Sequence, residues 1–129
     1  MRRLVAAVLA GLVSGAALAS DCGDLTTQGE MNRCMADQYR ELDRQLNAVY
    51  SSYRARLDPQ QRGDLKAAQE AWVRFRDVDC AFEASGSVGG SVHPFVEAAC
   101  LAAKTKARLE DLRRYSTCSE GDVSCPSPR

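Results

Sequence analysis

Six cysteines, Cys22, Cys34, Cys80, Cys100, Cys118 and Cys125, restrict this chain more than any other property of its 129-residue sequence. All of them follow an N-terminal stretch with the layout of a secretory signal peptide. Arg2 and Arg3 supply a positive start, Leu4 to Leu18 an apolar run, and Ala17-Leu18-Ala19 a small-residue cleavage site. The run is short and broken by Gly11, Ser14 and Gly15, so it reads as a cleaved leader and not as a membrane anchor. Asp21 stands where a lipoprotein signal needs a small residue before Cys22, which argues against lipidation. An even set of cysteines in an exported domain implies disulfides, and hence a periplasmic or secreted location. C-x-x-C and C-x-x-C-H are absent, and one histidine with scattered thiols makes a poor zinc site. No cofactor or metal is expected.

Removal of residues 1–19 leaves a length that suits one domain with one core. The expected division is a leader at 1–19, a helical domain at 20–115 and a polar tail at 116–129. Loss of Arg2 and Arg3 turns a balanced chain slightly acidic, to a net charge of about −2. Nucleic acid, which calls for a basic excess, is therefore not an expected partner.

Caps and apolar spacing predict three helices. Thr27-Gln28-Gly29-Glu30 is a capping box, and Met35, Tyr39, Leu42, Leu46, Val49 and Tyr53 follow at the alternating spacing of a bundle seam. Asp58-Pro59-Gln60-Gln61 stops that helix and starts the next, so the second should run antiparallel to the first or bend sharply from it. Its inward stripe is read as Leu65, Ala68, Trp72, Phe75 and Phe82, with Asp79 on the same face and in need of a partner. Glycines at 86, 89 and 90 interrupt helicity across residues 85–93. Pro94 opens a third helix with Val96, Cys100, Leu101, Thr105, Leu109 and Leu112 inward. The fold class is all-α: a small, disulfide-stapled three-helix bundle with a glycine-rich loop between helices two and three.

Six cysteines allow fifteen pairings in principle. Cys80 and Cys100 lie at similar distances before and after the loop, so antiparallel helices bring them to one depth. Cys22 can reach Cys34 on the first turns of the first helix, which leaves Cys118 for Cys125.

Polar residues recur on inward or flanking positions. Asp43, Asn47 and Tyr50 share a face of the first helix; Gln69, Arg76 and Asp77 come from the second, and Thr105 and Arg108 from the third. These residues are expected to form a structural polar network that fixes helix register, with Arg76 answering Asp43 or Asp79. Catalysis has little support. The one imidazole, His93, lies near Ser91, but Gly89-Gly90-Ser91-Val92-His93 lacks the final glycine of a serine-hydrolase elbow, and no carboxylate spacing marks a glycosidase pair.

The ordered elements form a recognisable set: Met31-Asn32-x-Cys34, Asp43-x-x-Leu46-Asn47-x-x-Tyr50, Gln69-x-x-Trp72-x-x-x-Arg76-Asp77-x-x-Cys80, Gly89-Gly90-Ser91, and Cys100-Leu101-x-x-x-Thr105-x-x-Arg108-x-x-x-Leu112. Together they resemble the LprI-type lysozyme-inhibitor domain, found in small secreted bacterial proteins, from about Cys22 to Leu112. The resemblance implies a helical, non-enzymatic envelope protein that binds a lysozyme. The candidate contact surface is the loop, with Ser87, Gly89, Gly90, Ser91 and His93 as donors toward a cleft bearing two carboxylates; the plainer reading is that Gly89-Gly90-Ser91 only turns the chain and caps helix three. The alternative is a structural or stress-related envelope module that binds another envelope protein or a cell-wall fragment.

Overall fold

The computed structural model describes residues 21–119 and 121–126, so the leader lies outside the described residues. Three helices account for most of it: α1 (Gln28–Ala55), α2 (Pro59–Glu83) and α3 (His93–Thr117), with short 3₁₀ turns at Cys22–Asp24 and Ser85–Ser87. The architecture is an all-α three-helix bundle, and no strand occurs among the described residues. Local chemistry sets the helix starts. Thr27 and Glu30 cap α1 reciprocally, and Asp58 and Gln61 do the same for α2, with Pro59 in its first turn.

The chain runs up, down, up, which makes α1 and α3 parallel. Asn32 Nδ2 near the start of α1 donates to the Ser91 carbonyl just before α3 (3.0 Å), and Arg56 after α1 donates to the Ser116 carbonyl near the end of α3 (3.0 Å). Between these clasps the helices meet along matching seams. Tyr39, Leu42, Leu46, Val49 and Tyr53 face α3, and Ala98, Ala102, Thr105, Leu109 and Leu112 face α1, both rows stepping alternately by three and four. That is the period of a coiled-coil contact. Small residues at 98 and 102 let the backbones approach, and Leu46, Leu109 and Leu112 form the fully enclosed centre.

α2 packs differently. Its buried positions are Gln69, Arg76 and Cys80, with Leu65 and Trp72 partly buried against the leucine cluster. The inward row is thus 65-69-72-76-80, with polar and apolar residues interleaved. Here the inward stripe read from sequence requires correction. Phe75 and Phe82 are 55% and 76% exposed, and Ala68 is exposed too. At ~100° per residue the apolar residues of α2 spread over two faces. The groove offered by α1 and α3 admits only one of them, the face that carries Trp72 and Arg76.

Disulfides join Cys22 to Cys34, Cys80 to Cys100 and Cys118 to Cys125. The middle bridge ties α2 to α3, with Cα atoms 5.5 Å apart and both cysteines buried. The tail is held by more than its cystine, because the Tyr53 hydroxyl also donates to the Pro126 carbonyl. No helix among the described residues is long and apolar enough to cross a membrane.

Candidate functional site

Two groups of polar residues emerge from this scaffold, one inside the bundle and one at its tip. The interior group centres on Arg76, a 6% exposed guanidinium on α2. Its Nη1 donates to Asp43 Oδ1 on α1 (3.1 Å) and to Thr105 Oγ1 on α3 (3.5 Å), while Nε donates to Asp77 Oδ1 (2.9 Å). The rings of Tyr39 and Trp72 lie 5.4 and 5.2 Å from its charge. One side chain therefore touches all three helices. Burial alone would weaken the Arg76 charge, but the hydrogen bond to Asp77, the fields of Tyr39 and Asp77, and the bond to Asp43 outweigh it and raise the pKa further. Tyr39 is also raised, chiefly by burial, with Arg76 opposing and Asp43 and Asp77 adding to the shift.

Beside Arg76, Arg108 Nε donates to Gln69 Oε1 (2.9 Å), and its guanidinium lies 5.9 Å from the centre of the Trp72 ring. Trp72 is thus flanked by two arginines. Asn47 donates to Asp43 (3.2 Å) but is exposed. Tyr50 packs against the leucine cluster and so stands apart from the charged network. Asp79, one of two carboxylates considered for Arg76, instead meets Lys104 of α3 at 2.6 Å, and Lys104 also reaches Glu83 at 3.1 Å. Hydrogen bonds to these two acids raise the Lys104 pKa. The interior thus holds a nearly buried cation on directional bonds to Asp43, Asp77 and Thr105. Its chemistry suits fixing register.

The tip is built by consecutive tight turns. Ser87 N donates to Ala84 O, Val88 N to Ser85 O, Gly90 N to Ser87 O and His93 N to Gly90 O. Gly89 has φ of +84°, a conformation that a side chain disfavours, and a Cβ on Gly90 would stand 3.2 Å from the Ser87 carbonyl oxygen. The Ser87 hydroxyl donates to Ala84 O (2.8 Å) and sits 3.0 Å from His93 Nδ1, which is itself 3.2 Å from Ala84 O. His93 is therefore committed to closing the turn, and its Nε2 lies 3.9 Å from Glu97. The amides of Gly89 and Ser91 take no part in these bonds. Val88 is 71% exposed at the apex, an apolar side chain that the polar donor reading does not anticipate.

A third feature is not visible from sequence spacing: a groove of about 660 Å³ between the α1–α2 elbow, α3 and the tail. Leu57, Leu65 and Tyr115 line it, together with Arg108, Asp64 and Gln61. The tail residues Asp122 to Pro126 form one wall, so only the folded chain brings this set together.

Comparison with known proteins adds the following. Residues 20–112 match the model of a family described as lysozyme inhibitor LprI. "Uncharacterized protein R02472" of Rhizobium meliloti (strain 1021) is 30% identical over 113 residues, covering 78% of this chain and 81% of the relative. "Uncharacterized protein YecT" of Escherichia coli (strain K12) is 29% identical over 107 residues, covering 71% and 66%. No solved structure matches.

Proposed function

The chain belongs to the LprI lysozyme-inhibitor family, and from that premise we propose that it is an exported, non-enzymatic binding protein that blocks a lysozyme with its tip. The family match over residues 20–112 carries the reading. The tip supports it chemically. A lysozyme cleft presents a carboxylate pair, and the amides of Gly89 and Ser91 and the Ser91 hydroxyl are polar groups of the right kind to face it. Internal bonds from Ala84 to His93 and the Cys80–Cys100 bridge hold the turn before any partner arrives. Preorganisation of this kind reduces the ordering cost of binding. Three disulfides also fit an oxidising compartment outside the cytoplasm.

The test is residual activity of several lysozyme types against the purified, oxidised protein. Loss of activity at protein concentrations up to tens of micromolar is expected, and full activity throughout would sink the reading. Replacement of residues 86–91 by a neutral linker should abolish inhibition while leaving the helical spectrum intact.

The groove favours one second reading, a module that takes a short cell-wall fragment. Leu57, Leu65 and Tyr115 beside Gln61, Asp64 and Arg108 give the groove a mixed apolar and polar lining, which suits a small ligand with both kinds of surface. Because Arg108 of the groove lies against Trp72, a bound fragment should change the tryptophan emission. A flat titration with soluble muropeptides would remove this alternative.

A further inference from the structure

The outer face of α2 carries an apolar seam that stays largely exposed, with the Lys104 ammonium 5.5 Å from the Phe75 ring centre at its edge. Ala71, Phe75, Val78 and Phe82 are all exposed and step by four, three and four residues. Phe75, Val78 and Phe82 are 55%, 67% and 76% exposed, a concentration of large apolar surface that a small exported domain has reason to cover. The spacing is that of a heptad, with Phe75 and Phe82 at its first position and Ala71 and Val78 at its fourth.

The flanking charges specify what would cover it. On one side stands exposed Arg74, whose charge acts on Glu70, a carboxylate already in contact with Lys66. On the other stands Asp79, which shares the single cation Lys104 with Glu83. One side thus carries one cation more than its carboxylate answers, and the other a carboxylate pair that is one cation short. In the heptad, Arg74 immediately precedes a first position and Asp79 immediately follows a fourth, five residues on. Those two positions meet across a coiled coil whose helices run parallel. An antiparallel partner would instead place Asp79 opposite its own counterpart.

We infer that α2 is a homodimerisation helix: a second copy of this chain docks on Ala71, Phe75, Val78 and Phe82 in parallel, with Arg74 of each copy answering Asp79 of the other. A two-fold axis along the helix pair forms both ion pairs at once, as an isologous interface requires. The seam spans fewer than two heptads, so association is weak and concentration-dependent. The lysozyme reading is independent of this contact, since the dimer leaves the tip loops at one end of the assembly.

Sedimentation equilibrium on the oxidised chain, from low micromolar to about millimolar concentration, should fit a monomer–dimer equilibrium. Phe82→Asp should raise the dissociation constant by about tenfold or more, with Phe75→Ser as a second variant and circular dichroism as the fold control. Arg74→Glu and Asp79→Arg should each weaken self-association. Mixing the two variants should restore it, because both ion pairs of the mixed dimer are again opposite in sign. A chain that stays monomeric throughout overturns the inference, as does a dimer indifferent to Phe82→Asp. A mixture that associates no better than its components also overturns it. So would a monomer whose Phe82→Asp form loses lysozyme inhibition, which would give the seam to the lysozyme instead.

Discussion

The contact between α1 and α3 and the contact between α2 and α3 solve the same packing problem with different chemistry. The first is a continuous apolar seam around Leu46, Leu109 and Leu112, with alanines where the backbones draw close. The second interleaves Gln69, Trp72, Arg76 and Cys80, and relies on a disulfide, an arginine and a shared lysine. Apolar seams tolerate small shifts, because burial is non-directional. Forked guanidinium bonds do not tolerate them. The bundle therefore places its stability largely between α1 and α3, and its register largely in α2.

The largest effect should come from the apolar contact. Leu109→Ala, at a site 2% exposed, should cost about 3–4 kcal/mol, read as a shift in the urea midpoint. An effect below that of the α2 variants would break the comparison. Next comes the staple. Replacing both Cys80 and Cys100 by alanine should cost about 3 kcal/mol in the chain-entropy model. Hydrogen exchange should then show α2 opening ahead of α1 and α3, whereas uniform loss of protection would mean that the bundle does not divide in this way. Arg76→Met should cost about 2 kcal/mol, less than a fully enclosed pair, because Asp43 is 35% exposed and water can reach it. A double-mutant cycle with Asp43→Asn measures the coupling directly.

The smallest effect sharpens the picture at the edge of α2. Hydrogen bonds to Asp79 and Glu83 raise the Lys104 pKa. Its contribution is therefore fully present below the ordinary lysine pKa and is lost as pH rises through the raised one. Alkaline denaturation curves should show a shallow stability loss in that window, and Lys104→Met should remove it.

Much of the fold is legible from local signals. Thr27 with Glu30, and Asp58 with Gln61 behind Pro59, mark helix starts by chemistry that needs no tertiary context. The seam of α1 is legible for a similar reason, since it has one apolar face, whereas on α3 spacing finds Cys100, Thr105, Leu109 and Leu112 but not the buried Ala98 and Ala102, too small to stand out. α2 is not legible, because its apolar residues occupy two faces and periodicity alone cannot say which one is buried. The buried face turns out to be the one bearing Gln69 and Arg76, the opposite of what hydropathy favours. Candidate site residues divide in the same way. Asp43, Arg76 and Thr105 can be assigned to facing helices from spacing, but the choice between Asp43 and Asp79 depends on Lys104, which carries no motif signal. The groove beneath the tail depends on where residues 122–126 fold back, and no local pattern encodes that.

The parallel course of α1 and α3 gives the molecule electrical polarity. Both helices begin near the tip, as the Asn32–Ser91 clasp requires, and only α2 ends there. Each helix start carries roughly half a positive charge and each helix end roughly half a negative one. Glu30 partly offsets the pole of α1, but α3 opens with no side-chain cap. Backbone direction, not lysine or arginine, thus sets a partial positive pole at the uncapped start of α3, with Glu97, 3.9 Å from His93 Nε2, opposing it.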